Sequence, residues 1–156
     1  MPLKKIFICL STFFMLHTAQ AKATELDQYL VQKQILDNSF KIQNSKALDE
    51  ILDVISDEDS RTLPFQIDQN MLMEKYKMSA NKVEIEGIIT TADFSQFAQD
   101  VGEKEVKKLI RKNILQSCNL LFENEFQRVN PYKVELKLSA ESQSYDFKIK
   151  NSECTF

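Results

Sequence analysis

Cys118 and Cys154 bracket the most legible stretch of the chain and place the strongest constraint on its fold. The third cysteine, Cys9, lies in an amino-terminal leader. Lys4 and Lys5 give that leader a positive start, Ile6–Leu16 an apolar run, and Ala19-Gln20-Ala21 an A-x-A cleavage site, with Ala21-Lys22-Ala23 a second one close by. The apolar run is shorter than the ~20 residues a bilayer-crossing helix needs. Cys9 follows the large Ile8, unlike a lipid-modified cysteine, which follows small residues. Residues 1–21 therefore read as a cleaved signal peptide, and the bacterial periplasm is the expected compartment. Two thiols left in an oxidising compartment are read as one disulfide. Closing a loop of that length is worth about 4 kcal/mol in the chain-entropy model, a large share of a small domain's net stability.

Between the cysteines lies a clean period-two pattern. Tyr132, Val134, Leu136 and Leu138 alternate with Lys133, Glu135, Lys137 and Ser139, and Tyr145, Phe147 and Ile149 with Asp146, Lys148 and Lys150. This predicts an antiparallel hairpin with one buried and one wet face. Upstream, Met71 to Met78 and Lys82 to Thr90 form a second hairpin around Ser79-Ala80-Asn81. Alternation puts Leu72, Tyr76 and Met78 on one face of its first strand and Met71 and Met73 on the other. Val83, Ile85 and Ile89 share a face with Gly87, which marks a bulge or a close helix crossing. Between the hairpins, Gly102 precedes one long helix with the stripe Val106, Leu109, Ile110 and Ile114, and Asn130-Pro131 ends the helical region. The expected fold is α+β: N-terminal helices, then β-β-α-β-β as a four-stranded antiparallel sheet with one long helix packed across it and one disulfide.

Ahead of this domain (residues 61–156), residues 22–60 read as a helical arm. A first helix is expected from Ala23 to about Asn44, N-capped by Thr24, with a polar break over residues 38–45. Ser45 caps a second helix carrying Leu48, Ile51, Leu52 and Ile55, ended by Asp57-Glu58-Asp59-Ser60. Pro64 pushes Leu63 into an extended conformation, so Leu63–Asp68 (LPFQID) reads as an extended lead-in.

From LPFQID to Cys154 the chain resembles small exported disulfide-bonded domains of Gram-negative bacteria. They share an LP…ID lead-in, a hairpin, a cysteine-bearing helix and a second hairpin ending in cysteine. The resemblance implies a fold and carries no activity.

Composition removes several chemistries. His17, the only histidine, leaves with the leader, so the mature chain has no Ser-His or Cys-His pair and no histidine-based zinc site. The two remaining cysteines do not form a C-x-x-C redox motif. Asp57-Glu58-Asp59 lacks the glycine and terminal glutamate of a calcium loop. Glu103 and Glu105 suit the positive end of a helix dipole. No catalytic, cofactor-binding or metal-ligating set is expected, and no cofactor. The chain has a formal charge of −3, and cleavage removes Lys4 and Lys5, which argues against nucleic acid as partner.

The candidate interaction residues are Lys104, Lys107, Lys108 and Arg111, spaced i, i+3, i+4, i+7 on one helix face, together with Met71 and Met73 as an adaptable apolar surface. The expected function is that of a small exported, non-enzymatic interaction protein of inhibitor or immunity, secretion or pilus accessory, or chaperone type, with another envelope protein as partner. One alternative is a periplasmic hydrolase using carboxylate or Ser-Lys chemistry. Another is an envelope-associated protein whose basic helix face contacts anionic membrane. Oligomeric state is not legible. Mass spectrometry of exported material is expected to show a chain starting at Lys22 or Thr24 with no thiol available to alkylation. An intact leader or two reactive thiols would refute this reading.

Overall fold

The computed structural model describes residues 23–141 and 143–156; the expected signal peptide, residues 1–21, lies outside them. The alternating stretch between the cysteines forms β4 (Lys133–Ser139) and β5 (Ser144–Lys150), paired antiparallel, with the apolar residues of both strands buried. The upstream hairpin forms β2 (Met71–Met78) and β3 (Lys82–Ile89). The extended lead-in becomes an edge strand, β1 (Phe65–Asp68), antiparallel to β2 and preceded by a cis Leu63–Pro64 peptide bond.

The chain is α+β, but its sheet is five-stranded, ordered β1-β2-β3-β4-β5. The pairing of β3 with β4 is parallel, Val83 lying opposite Val134 and Ile85 opposite Leu136. This corrects the expected four-stranded antiparallel sheet. The reason is the connection between the hairpins, which runs through α3 (Phe94–Val101), α4 (Glu103–Gln116), α5 (Cys118–Leu121) and α6 (Glu125–Val129). The 14-residue α4 spans about 21 Å. The 8-residue β3 spans about 26 Å. A helix of nearly the strand's length returns the chain to the end where β3 began, so β4 repeats its direction.

The long helix expected after Gly102 is α4, but it ends at Gln116, before Cys118, and α3 precedes it. Gly102, at φ 90°, separates α3 from α4, and a Cβ there would meet no atom within 4 Å, so backbone conformation alone selects glycine. Val106 is buried and Ile110 and Ile114 are half-buried, but Leu109 is 46% exposed and falls outside the apolar stripe.

At the amino end, α1 (Glu25–Gln32) begins at Thr24 with a capping box. It stops well short of Asn44 because Gln34 adopts φ 58° and the Ile35 N–H turns back to the Leu30 carbonyl at 3.0 Å. Asp37 then organises a tight loop, its Oδ1 accepting the N–H groups of Ser39 (2.8 Å) and Lys41 (2.9 Å). In α2 (Ser45–Ser60) the cap is Asn44 rather than Ser45, its side chain accepting the Ala47 N–H at 3.0 Å. The acidic run is the last helical stretch of α2, not its terminator. Leu48 and Leu52 of α2 are fully buried against the sheet. Ser56 Oγ accepts the Met78 N–H at 2.8 Å, and Asp49 accepts the Ala80 N–H at 2.7 Å.

A bulge in β2 decides which residues face these helices. Met73 lies opposite Gly87 and Lys75 opposite Glu86, leaving Glu74 as the extra residue. The phase of the strand flips there. Met71 and Met73 come onto the same face as Tyr76 and Met78, and Leu72 goes to the other, reversing the expected arrangement. Gly87 permits the close approach, since a Cβ would lie 3.1 Å from the Leu72 carbonyl oxygen and 3.3 Å from Leu138. The core rows across the sheet are Met78, Val83, Val134, Ile149 and Tyr76, Ile85, Leu136, Phe147.

The helical connection is pinned at its far end by a fully buried carboxylate. Asp27 of α1 accepts the N–H groups of Glu125 (2.8 Å) and Phe126 (3.2 Å), the first residues of α6, and both the backbone N–H and hydroxyl of Thr24. The Thr24 Oγ1 and Asn124 Oδ1 lie 2.7 Å apart. Phe122 and Phe126 meet Tyr132 edge-on with centroids 6.4 and 5.8 Å apart. Cys118 and Cys154 are bonded, their Cα atoms 5.8 Å apart. Asp27→Ala leaves buried donors without an acceptor and is expected to cost about 3 kcal/mol. Urea denaturation reads this directly, and a loss below about 1 kcal/mol would show that α1 is not anchored through this carboxylate.

Candidate functional site

The helices lie on the apolar face of the sheet, and the opposite face carries a lattice of charges. The register sets the rows Lys77, Glu84, Glu135, Lys148 and Lys75, Glu86, Lys137, Asp146 side by side. Glu135 sits within 2.7 Å of the Lys133 ammonium, 3.1 Å of Lys82 and 3.9 Å of Lys148. Hydrogen bonds from Lys133 and Lys82 hold its carboxyl down to about 2. Glu84 and Glu135 in turn push Lys82 up, and Lys75 holds Glu86 down. Lys148 is pulled down by the neighbouring Lys133 ammonium. Hydrogen-bonded ion pairs thus hold Glu135, Glu86 and Lys82 in their charged forms at neutral pH.

This lattice runs into the largest cavity among those described, a groove of about 870 Å³. One wall is the α6–β4 corner, Arg128 to Lys133. The other is Lys150, Asn151, Ser152 and Cys154 at the end of β5, with Lys41, Asn81 and Phe156 closing the ends. Its lining contains four cations, Lys41, Arg128, Lys133 and Lys150, and no acidic side chain. Asn151 braces the two walls, its side-chain amide donating to the carbonyls of Gln127 (2.9 Å), Arg128 (3.0 Å) and Asn130 (2.6 Å). Asn130 ties the corner to the Asp37 loop, donating to the Phe40 carbonyl at 2.8 Å and accepting the Ile42 N–H at 3.1 Å. The Arg128 guanidinium pairs with Glu125 at 3.0 Å and lies 5.1 Å from the centroid of Phe156. The hydroxyl of Tyr132 lies 2.7 Å from the Ser79 carbonyl oxygen and 3.0 Å from that of Lys82, and burial pushes its titration up.

The sequence-predicted residues fall elsewhere. Lys107 leans over the Phe147 ring, 6.0 Å from its centroid. Arg111 pairs with Glu153 and donates to the Lys148 carbonyl at 3.3 Å. Both are therefore engaged with their own sheet. Lys104 and Lys108 face solvent, Lys108 beside Glu105 at 3.7 Å. Met71 packs on the edge of the core. Met73 lines a notch of about 270 Å³ with Leu63, Phe65 and Tyr76. The structure does not join these residues into one site. Lys41, the Arg128–Lys133 corner and Lys150 come from three separate segments and share no spacing, so no local pattern marks the groove they line. Among the described residues no group of three His, Cys, Asp or Glu side chains could hold a metal ion, and no helix is long and apolar enough to cross a membrane.

No family model and no curated protein matches the chain. Among solved structures, the type 2 secretion system pilotin EpsS of Vibrio vulnificus superposes with a TM-score of 0.49 at 16% identity, covering 72% of this chain and 96% of that chain. A protein of Pseudomonas aeruginosa described as secreted superposes with a TM-score of 0.43 at 11% identity, covering 71% of this chain and 96% of that chain. At these values neither likeness assigns a fold or a function to the chain.

The depressed carboxyl of Glu135 has a consequence for stability. The unfolded state binds this proton at ordinary carboxylate pH and the folded state only near 2. The contribution is complete above about pH 4.5 and is lost as pH falls toward about 2. Chemical denaturation across that window should give a shallower loss of stability for Glu135→Gln than for the natural chain. Identical slopes would mean the lysine cage does not couple to folding.

Proposed function

We propose that the mature chain is a small exported interaction protein that engages another envelope protein through the cationic groove and performs no catalytic step of its own. The observation that carries this reading is the segregation of charge. A chain of net −3 concentrates four cations and no acidic side chain on the lining of one groove of about 870 Å³. Such a surface attracts and orients an anionic partner. Export is supported by the leader and by the disulfide, which joins the start of α5 to one groove wall. The side chains facing the groove suit recognition better than proton transfer. Its tyrosine hydroxyl is taken up by backbone carbonyls. The bacterial periplasm is the proposed compartment, and inhibitor, secretion-accessory and chaperone roles all use a surface of this type.

A second reading is favoured by one observation on α4. Leu109, 46% exposed, lies beside the solvent-facing Lys108, a combination suited to an anionic lipid surface. The two readings separate in a capture experiment. The mature chain, immobilised and exposed to periplasmic extract of its own cell, is expected to retain a defined protein that the doubly substituted Lys41→Glu, Lys150→Glu chain loses and the Lys104→Glu, Lys108→Glu chain keeps. Equal capture by all three would overturn the assignment to the groove. Loss only in the α4 variant would transfer the function to that helix.

A further inference from the structure

We infer that the groove takes an extended acidic peptide segment bearing a large apolar side chain; this rests on the groove being the contact surface. The four cations are not equivalent. Arg128 pairs with Glu125, and Lys133 shares Glu135 with Lys82 and Lys148. The Lys41 ammonium donates to the uncharged Val129 carbonyl, and Lys150, whose backbone N–H donates to Glu153, makes no ion pair within 4 Å among the described residues. The two groove cations not closed into ion pairs therefore lie on separate segments, one on the Asp37 loop and one at the end of β5. A single compact anion would not use both sites in a groove of about 870 Å³. A chain with carboxylates spaced along it does.

The same lining supplies apolar contact. Phe156 is half-exposed, its ring 5.9 Å edge-on from Phe122 and 5.1 Å from Arg128. Arg128 is itself held by a 2.6 Å hydrogen bond from its Nε to the Phe122 carbonyl. This makes a supported aromatic platform, on which one apolar side chain of the bound segment rests while flanking carboxylates reach Lys41 and Lys150. Both walls are held before anything binds. Asn151 bonds across them, and the disulfide anchors the segment that carries Phe156. Little ordering is then left to the binding step. The exposed neighbours Asn81 and Ser152 are polar groups suited to peptide backbone.

The test is fluorescence anisotropy on the disulfide-intact mature chain with three labelled hexapeptides: Asp-Asp-Phe-Asp-Asp-Leu, its Phe-to-Ala analogue, and its Asp-to-Lys analogue. The first is expected to bind best, and the lysine peptide not at all. Affinity should fall about tenfold or more between about 50 and about 300 mM salt. Lys41→Glu with Lys150→Glu should weaken the first peptide by about tenfold or more. Phe156→Ala should weaken the phenylalanine peptide and leave its alanine analogue nearly unchanged, a double-mutant cycle that a general loss of structure would not produce. Equal binding of acidic and basic peptides, or indifference to the lysine substitutions, overturns the proposal. Preference for phosphatidylglycerol vesicles over the acidic peptide overturns it as well. If peptides fail while the groove variant still loses its protein in the capture experiment, the occupant named here is wrong and the groove assignment stands. If capture is also indifferent, both fall.

Discussion

The parallel pairing of β3 and β4 governs the rest of this molecule. Two strands can pair in this way only if the chain between them travels the full length of the sheet and returns on one face. That journey is made by α3 to α6, and it commits this face to helices. The N-terminal helices meet the same face, with Leu30, Leu48 and Leu52 in the same cluster as Val134 and Ile149. Most of the apolar mass is thereby collected on one side. The other side is left to a lattice of lysines and carboxylates that needs only water and its own cross-strand partners.

A one-sided architecture concentrates its risks at the corners. The crossover must turn from α6 into β4, and the turn exposes backbone groups that neither helix nor strand satisfies. Polar side chains from distant segments supply the missing partners: Asp27 at the start of α6, Asn130 at its end, and Asn151 from beyond β5. Among the described residues, no buried side-chain nitrogen or oxygen lacks a hydrogen-bond partner. The corner is consequently stiff, and the groove beside it inherits that stiffness. A recognition surface benefits because preorganised walls cost less to occupy.

Electrostatics follows the same division. Within the sheet, opposite charges neutralise each other across neighbouring strands. Toward the end of the sheet the pattern runs out of carboxylates, and the row Lys82, Lys133, Lys150 leads into the groove lined further by Lys41 and Arg128. The basic face expected on α4 proved to be partly structural, because Lys107 and Arg111 are turned onto β5 and its following turn. A helix wheel gives the angle of a side chain about its axis. It does not show that a neighbouring strand supplies an aromatic ring and a carbonyl within reach.

What the sequence determined was local: the β4–β5 hairpin from period-two alternation, the Thr24 cap, the α2 stripe, the helix start after Gly102, and the pairing of Cys118 with Cys154. Each depends on residues close in the chain, or on having only two thiols to pair. Tertiary structure decided what depends on distant partners. The bulge at Glu74 exists because β2 must match β3 beside Gly87, and it alone reverses the faces of Met71 and Leu72. The parallel join depends on the length of a helix relative to a strand, and the edge strand β1 on an unsatisfied neighbour. The groove depends on the convergence of segments far apart in the chain, its four cations drawn from the Asp37 loop, the α6–β4 corner and the end of β5. Alternation and capping are written in adjacent residues, whereas register, handedness and convergence arise only when separate elements compete for the same face.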